Sequence, residues 1–247
     1  MKRTLLILLT LTACTHLMAY DPTPEARADS GKYFLKDGQQ PNSLLILPPP
    51  PQPGTTAFSH DQAMYHWGIT QRNTPRGEQA KNDANLDFDN FAAGFSDPMG
   101  ITINAKQTPY LYNLICRIGQ DAGDLATAHA KNYYMRMRPY MIFMQPTLIP
   151  NDEPILATNG SYPSGHSCMG MSVALVLMEI NPERQNELFI RGYEFGQSRV
   201  IAGFHFQSDV DAGRLCAAAI VARLHADEGF LQALELAKQE FAHLRNR

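Results

Sequence analysis

Apolar residues recur at intervals of three and four along much of the chain, as in Leu111, Leu114, Ile115 and Ile118, and again in Phe230, Leu231, Leu234, Leu236 and Ala237. That period puts them on one stripe of an α-helix. Alternation of apolar with polar residues, the mark of a half-buried strand, is nearly absent. Helix starts are legible too. Ser59-His60-Asp61-Gln62 fits a capping box, while Thr74-Pro75, Thr108-Pro109 and Asn181-Pro182 each put a capping side chain before a proline at the first helical position. The long apolar run from Cys168 to Ile180, CMGMSVALVLMEI, reads as a buried helix entered through Pro163-Ser164-Gly165-His166. These patterns predict an all-α fold, a single-domain helical bundle over residues 56–247 with no internal repeat.

Ahead of the bundle the pattern fails. Residues 20–55 form a polar and proline-rich arm in which Pro48 to Pro51 enforce an extended backbone. A stiff strap over the domain is the expectation, and a peptide-docking motif the alternative. The first residues, MKRTLLILLTLTACTHLMAY, pair Lys2 and Arg3 with an apolar stretch too short to span a bilayer, which reads as an export signal. Two processing routes stay open. Cleavage after Ala19 gives a signal peptide of residues 1–19, although Leu17 is large for its place; alternatively Leu11-Thr12-Ala13-Cys14 is a lipoprotein box, with cleavage before Cys14 and a lipid anchor on it. No later segment is apolar for long enough to be a membrane span.

Composition changes this picture only a little. The 247 residues are 44% hydrophobic and 18% charged, enough for one sizeable core. A net charge of −3 gives no reason to expect nucleic acid as a partner, so any basic site has to be local. Past the leader stand Cys116, Cys168 and Cys216, which allow at most one disulfide; Cys168 and Cys216, in apolar runs, read as buried free thiols.

Three short stretches carry candidate chemistry. In KNYYMRMRP, Lys131 and Arg138 are seven apart and would share a helix face, with Pro139 ending that helix at Arg138; a solvated basic face is the alternative. Ser164 is a natural N-cap, Gly165 lets the backbone approach a ligand, and the free amides of the first turn suit an anion; the alternative is a capped helix in which His166 is incidental. In SRVIAGFHFQSDVD, the spacing of His205 and Asp209 lets the carboxylate accept from one ring nitrogen and leave the other free to act as nucleophile or base. A purely structural pair is the alternative there.

Together, Lys131-x6-Arg138-Pro139, Pro163-Ser164-Gly165-His166 and Ser198-Arg199-x5-His205-x3-Asp209 resemble the three-part signature of the phosphatidic acid phosphatase type 2 superfamily, which includes vanadium haloperoxidases. Within it the chain is similar to bacterial class A nonspecific acid phosphatases. That likeness runs from about Tyr33 through the LPPPP arm, DQAMY at 61–65, AGDLAT at 122–127 and INPERQNE at 180–187. Ser167 stands where the family usually has threonine, and the lipoprotein box is a second departure.

The resemblance implies an all-helical acid phosphatase, periplasmic and homo-oligomeric, that hydrolyses small phosphate monoesters without metal or cofactor and is capable of phosphotransfer. It implies His205 as nucleophile, Asp209 as its orienting carboxylate and His166 as acid and base. Lys131, Arg138, Ser164, Gly165 and Arg199 would hold the phosphoryl oxygens. A vanadium-dependent haloperoxidase, with vanadate on His205, is the alternative function.

Overall fold

A computed structural model describes residues 32–246; the leader and Cys14 lie outside the described residues. The helices are α1 (Ser43–Ile46), α2 (Thr56–Gln71), α3 (Pro75–Ala84), α4 (Phe88–Ala93), α5 (Ser96–Met99), α6 (Pro109–Gln120), α7 (Ala128–Tyr134), α8 (Pro139–Phe143), α9 (Glu153–Leu156), α10 (Gly165–Ile180), α11 (Gln185–Ala202), α12 (Gln207–Leu224) and α13 (Glu228–Arg245). One π-turn, Asp121–Leu125, links α6 to α7. No strand occurs among the described residues, so the fold is all-α.

The apolar run becomes the central helix. Val173, Ala174, Val176 and Leu177 of α10 are buried, and α6, α11 and α12 pack around them. Each large side chain withdrawn in this way contributes about 1.5–3 kcal/mol. The approach of α11 to α10 depends on Gly192, where a Cβ would stand 2.4 Å from that of Ala174 and 3.0 Å from the Gly170 carbonyl. On α13 the stripe of Phe230, Leu234, Ala237 and Phe241 faces inward, whereas Leu231 turns out to solvent.

The caps hold with three changes, one being Asn181, which makes no side-chain cap ahead of Pro182 and whose Nδ2 donates to Met99 O instead. Thr74 and Ser164 cap α3 and α10 through their side chains as expected. The expected box at Ser59 lies inside α2, which starts earlier because Thr55 is extended and its hydroxyl accepts from Phe58 N at 3.2 Å. Thr108 precedes Pro109 as expected, but its hydroxyl serves the Asn104 loop. The first turn of α6 is met instead by the buried Glu240 carboxylate of α13, which accepts from Tyr110 N and Leu111 N.

The described part of the arm is a strap tied down along its length. Phe34, Leu35 and Leu47 enter the core, and the Asp121 carboxylate accepts from the amides of Phe34 and Leu35. Ser43 Oγ accepts from Ala130 N, and Pro48 O accepts from Tyr162 Oη at 2.6 Å. Cys116, Cys168 and Cys216 are all free, the last two buried. Among the described residues no helix is long and apolar enough to cross a membrane.

Candidate active site

The eight singled-out residues converge where α7, the start of α10, the end of α11 and the start of α12 meet. Their placement differs from expectation at one point. α7 ends at Tyr134, with Met135 left-handed at φ 43°, so Lys131 and Arg138 do not share a helix. Arg138 is instead the extended residue ahead of Pro139, which opens α8. Proline therefore starts the next helix, and the four-residue break aims both cations at one place.

Hydrogen bonds fix the break. Ser161 N donates to Arg136 O, laying residues 135–138 beside the entry to α10. Lys131 Nζ reaches back to Gly160 O at 3.0 Å. Arg138 Nε donates to the carbonyls of Leu156 and Asn159, and its Nη1 to Phe204 O. The same Nη1 lies 3.1 Å from His205 Nε2.

The nucleophile candidate sits in the link from α11 to α12. Gly203, at φ 89°, ends α11 and turns the chain so that the amides of Phe204 and His205 both donate to Arg199 O. Asp209, in the first turn of α12, accepts from Phe206 N at 2.8 Å and sets the same Oδ2 3.4 Å from His205 Nδ1. The four-residue spacing thus works across a helix start rather than along a helix.

At α10, Ser164 N donates to Asp209 O, while Ser167 gives the Ser164 hydroxyl a bond from its amide and another, at 2.9 Å, from its own hydroxyl. A Cβ on Gly165 would meet Gly123 O only at 3.5 Å. No protein contact demands glycine there, which leaves the amide of the first turn open to close approach from outside. His166 Nε2 lies 3.4 Å from Ala84 O.

Charge is heavily one-sided. Arg199 is buried, its plane rests on the Phe204 ring, and its Nε and Nη1 have no hydrogen-bond partner. Burial, with the Arg138 charge beside it, lowers Arg199 to about 9. Burial and Arg138 likewise bring Lys131 down to about 7. Burial, then Arg199 and His205, hold His166 well below the usual histidine value. Burial, then Arg138, Lys131 and Arg199, do the same to His205. Both imidazoles are therefore biased towards the neutral form in the protein alone, and unpaired guanidinium donors in a buried site suit an anion rather than a cation.

Other buried groups of this region were not assigned roles by the sequence reading. Arg136, between Lys131 and Arg138 in the same run, pairs with Asp209 and with Asp61 of the DQAMY stretch. Asp83 at the end of α3 holds Arg191 and accepts from Ser198 Oγ, which fixes the turn carrying Ala84 O. Only the cationic run itself hinted at Arg136.

The PAP2 superfamily model matches residues 112–230. The chain is 48% identical to a non-specific acid phosphatase of Providencia stuartii, covering 92% of each sequence. It is 43% identical to a non-specific acid phosphatase of Salmonella typhimurium over 89% of this chain and 88% of that one. An acid phosphatase of Zymomonas mobilis is 36% identical over 90% of this chain and 82% of its own.

Proposed function

Because the chain belongs to the PAP2 superfamily and is an acid phosphatase, we propose that it hydrolyses phosphate monoesters in two steps through a phosphohistidine at His205. The observation that carries this reading is the setting of His205: Nε2 faces an arginine that can only donate, and Nδ1, which makes no hydrogen bond, lies 3.4 Å from the Asp209 carboxylate. A donor facing Nε2 requires the lone pair on that atom, and so the hydrogen on Nδ1. This is the tautomer a nucleophile aimed by a carboxylate needs.

In the first step the Nε2 lone pair attacks phosphorus, the bond to the leaving oxygen breaks, and His166 supplies that oxygen with a proton. In the second, water attacks, gives its proton to His166, and the phosphorus–nitrogen bond breaks to release phosphate. Arg199, Arg138 and Lys131, with the Ser164 hydroxyl and the Gly165 amide, hold the oxygens over which charge spreads.

The depressed His166 sharpens the proton count. While His166 is neutral it cannot start as an acid, but a phosphate monoester carries a proton of its own below its second pKa of about 6. Binding the monoanion, and passing that proton to His166, reaches the same protonation state as binding the dianion to a charged imidazole. Activity on the acid side of neutrality follows from the substrate's proton and from Lys131, which is charged only below about 7.

No metal is required on this reading, since the cations do the electrostatic work. An alcohol could replace water in the second step, giving phosphotransfer. The leader supports export, and with it a periplasmic site of action.

The test is turnover of p-nitrophenyl phosphate from about pH 4 to about pH 9, in excess chelator, with and without vanadate. Activity below neutrality that ignores chelator and falls with vanadate supports the mechanism. Turnover that appears only with added divalent metal overturns it, and halide oxidation by vanadate-loaded protein would favour the haloperoxidase reading.

A further inference from the structure

Asp61 and Arg136 enter no step above, yet they stand directly behind the attacking histidine. Arg136 Nη1 donates to Asp209 Oδ1 at 2.5 Å and to Ser208 Oγ at 2.8 Å, and its Nη2 to Asp61 Oδ2 at 2.8 Å. The guanidinium lies over the Phe206 ring, 4.3 Å from its centroid. Asp61, wholly buried, also accepts from Ser208 N at 2.8 Å and from Ser208 Oγ at 2.6 Å. One rigid fork is thus stretched between two carboxylates, one of which faces His205.

Resting on the reading of His205 as nucleophile, we propose that Arg136 and Asp61 are positioning residues for it: Asp61 anchors the Arg136 fork, and the fork sets both the plane of the Asp209 carboxylate and the share of its charge that reaches His205. With Oδ1 held by Arg136, only Oδ2 is left for the Phe206 amide and His205 Nδ1. Arg136 also answers part of the negative charge on Asp209. Without it, the whole carboxylate would bear on the imidazole and draw a second proton onto the nucleophile. Asp61 competes for the same guanidinium, so the two residues act on His205 in opposite senses. Although burial pulls Arg136 down, the Asp209 and Asp61 carboxylates hold it above its ordinary value, so it stays charged throughout.

The surrounding charges do not change in the test. His205 is faced by Arg138, by Lys131 of α7, by Arg199 of α11, by His166 of α10, by Asp209 of α12 and by the Ser161 backbone. Asp209 is faced besides by Arg136 and Tyr162. None of these groups is altered by a substitution at position 61, and a substitution at 136 alters only Arg136.

The experiment titrates His205 by ring-nitrogen NMR of histidine-labelled full-length protein, with its signals identified by their loss in His205→Ala, and measures the rate of phosphoenzyme formation by rapid quench. Arg136→Gln is expected to raise the His205 midpoint and to slow phosphoenzyme formation by about 10-fold to 100-fold, the usual effect of removing a supporting partner. Asp61→Asn is expected to move the midpoint down, and Arg136→Lys to recover part of the loss. Should Arg136→Gln fail to fold, the near-isosteric Asp61→Asn and the charge-preserving Arg136→Lys carry the test. Folded variants whose midpoint stays put, or shifts in the same direction for Asp61→Asn as for Arg136→Gln, overturn the proposal and leave a structural role only. Absence of any phosphoenzyme in the unsubstituted protein would instead overturn the reading of His205, and would be seen before any variant is made.

Discussion

Arg138 Nη1 stands 3.1 Å from His205 Nε2. An arginine has no lone pair to offer, so the contact is favourable only while Nε2 is unprotonated. On the proposed mechanism, the cation that holds a phosphoryl oxygen also keeps Nε2 of His205 unprotonated. In Arg138→Met, His205 should titrate at a higher pH than in the parent, because a lowering charge is gone. Turnover should fall by roughly 10²-fold to 10³-fold, the usual cost of one transition-state donor. Histidine NMR and steady-state kinetics on the same sample check both, and a midpoint that does not rise would refute the electrostatic part.

The two histidines should fail differently. His205→Ala should leave no covalent phosphoenzyme at all. His166→Ala should lose about 10²-fold to 10⁴-fold with alkyl phosphates, the usual worth of a general acid, and far less with aryl esters whose leaving group needs no proton. Comparing an alkyl and a nitrophenyl ester on each variant is enough; equal losses on both would remove His166 from the acid role.

Lys131 can be isolated with an anion that does not titrate. Its folded value of about 7 lies below the ordinary lysine value, so its charge is present below about pH 7 and is lost above it. Competitive inhibition by sulfate should therefore weaken as pH rises through about 7. In Lys131→Arg, which keeps its charge, that weakening should disappear. A sulfate inhibition constant that stays level with pH in the parent would count against the lysine.

At the junction of α10 and α12 the packing leaves no slack. A Cβ on Gly213 would stand 2.5 Å from Ser164 O and 2.9 Å from Ser167 Cβ. Gly213→Ala should therefore cost about 1–3 kcal/mol in denaturant unfolding, and it should also displace Ser164 and lower turnover. Gly192→Ala, which crowds Ala174 away from the site, should destabilise by a similar amount with turnover per folded molecule less affected. Equal loss of turnover in the two would show that the serine is not what Gly213 protects.

The parts of this molecule that could be read in advance are the local ones. Ser164 as a cap, the buried run behind it, and the pairing of His205 with Asp209 each depend on residues within a few positions of one another. Asp61 and Arg136 could not be read that way, because each is explained by a partner 75 positions distant. Asp83, which holds Ser198 across 115 positions, is the same case. The early end of α7 escaped for another reason: Met135 takes a left-handed conformation that nothing in its identity announces. Glu240 was hidden because a carboxylate on the buried face of a helix breaks the very periodicity by which that helix is recognised.

The strap has a consequence in time. Ser43 and Pro48 are made early, yet their hydrogen-bond partners Ala130 and Tyr162 come 87 and 114 residues later, and His205 later still. A chain emerging from its N-terminus holds the strap in waiting and cannot close the site until Asp209 has followed. On the proposed mechanism, no chain that stops short of Asp209 holds a complete site, so phosphatase activity waits for the last fifth of the sequence.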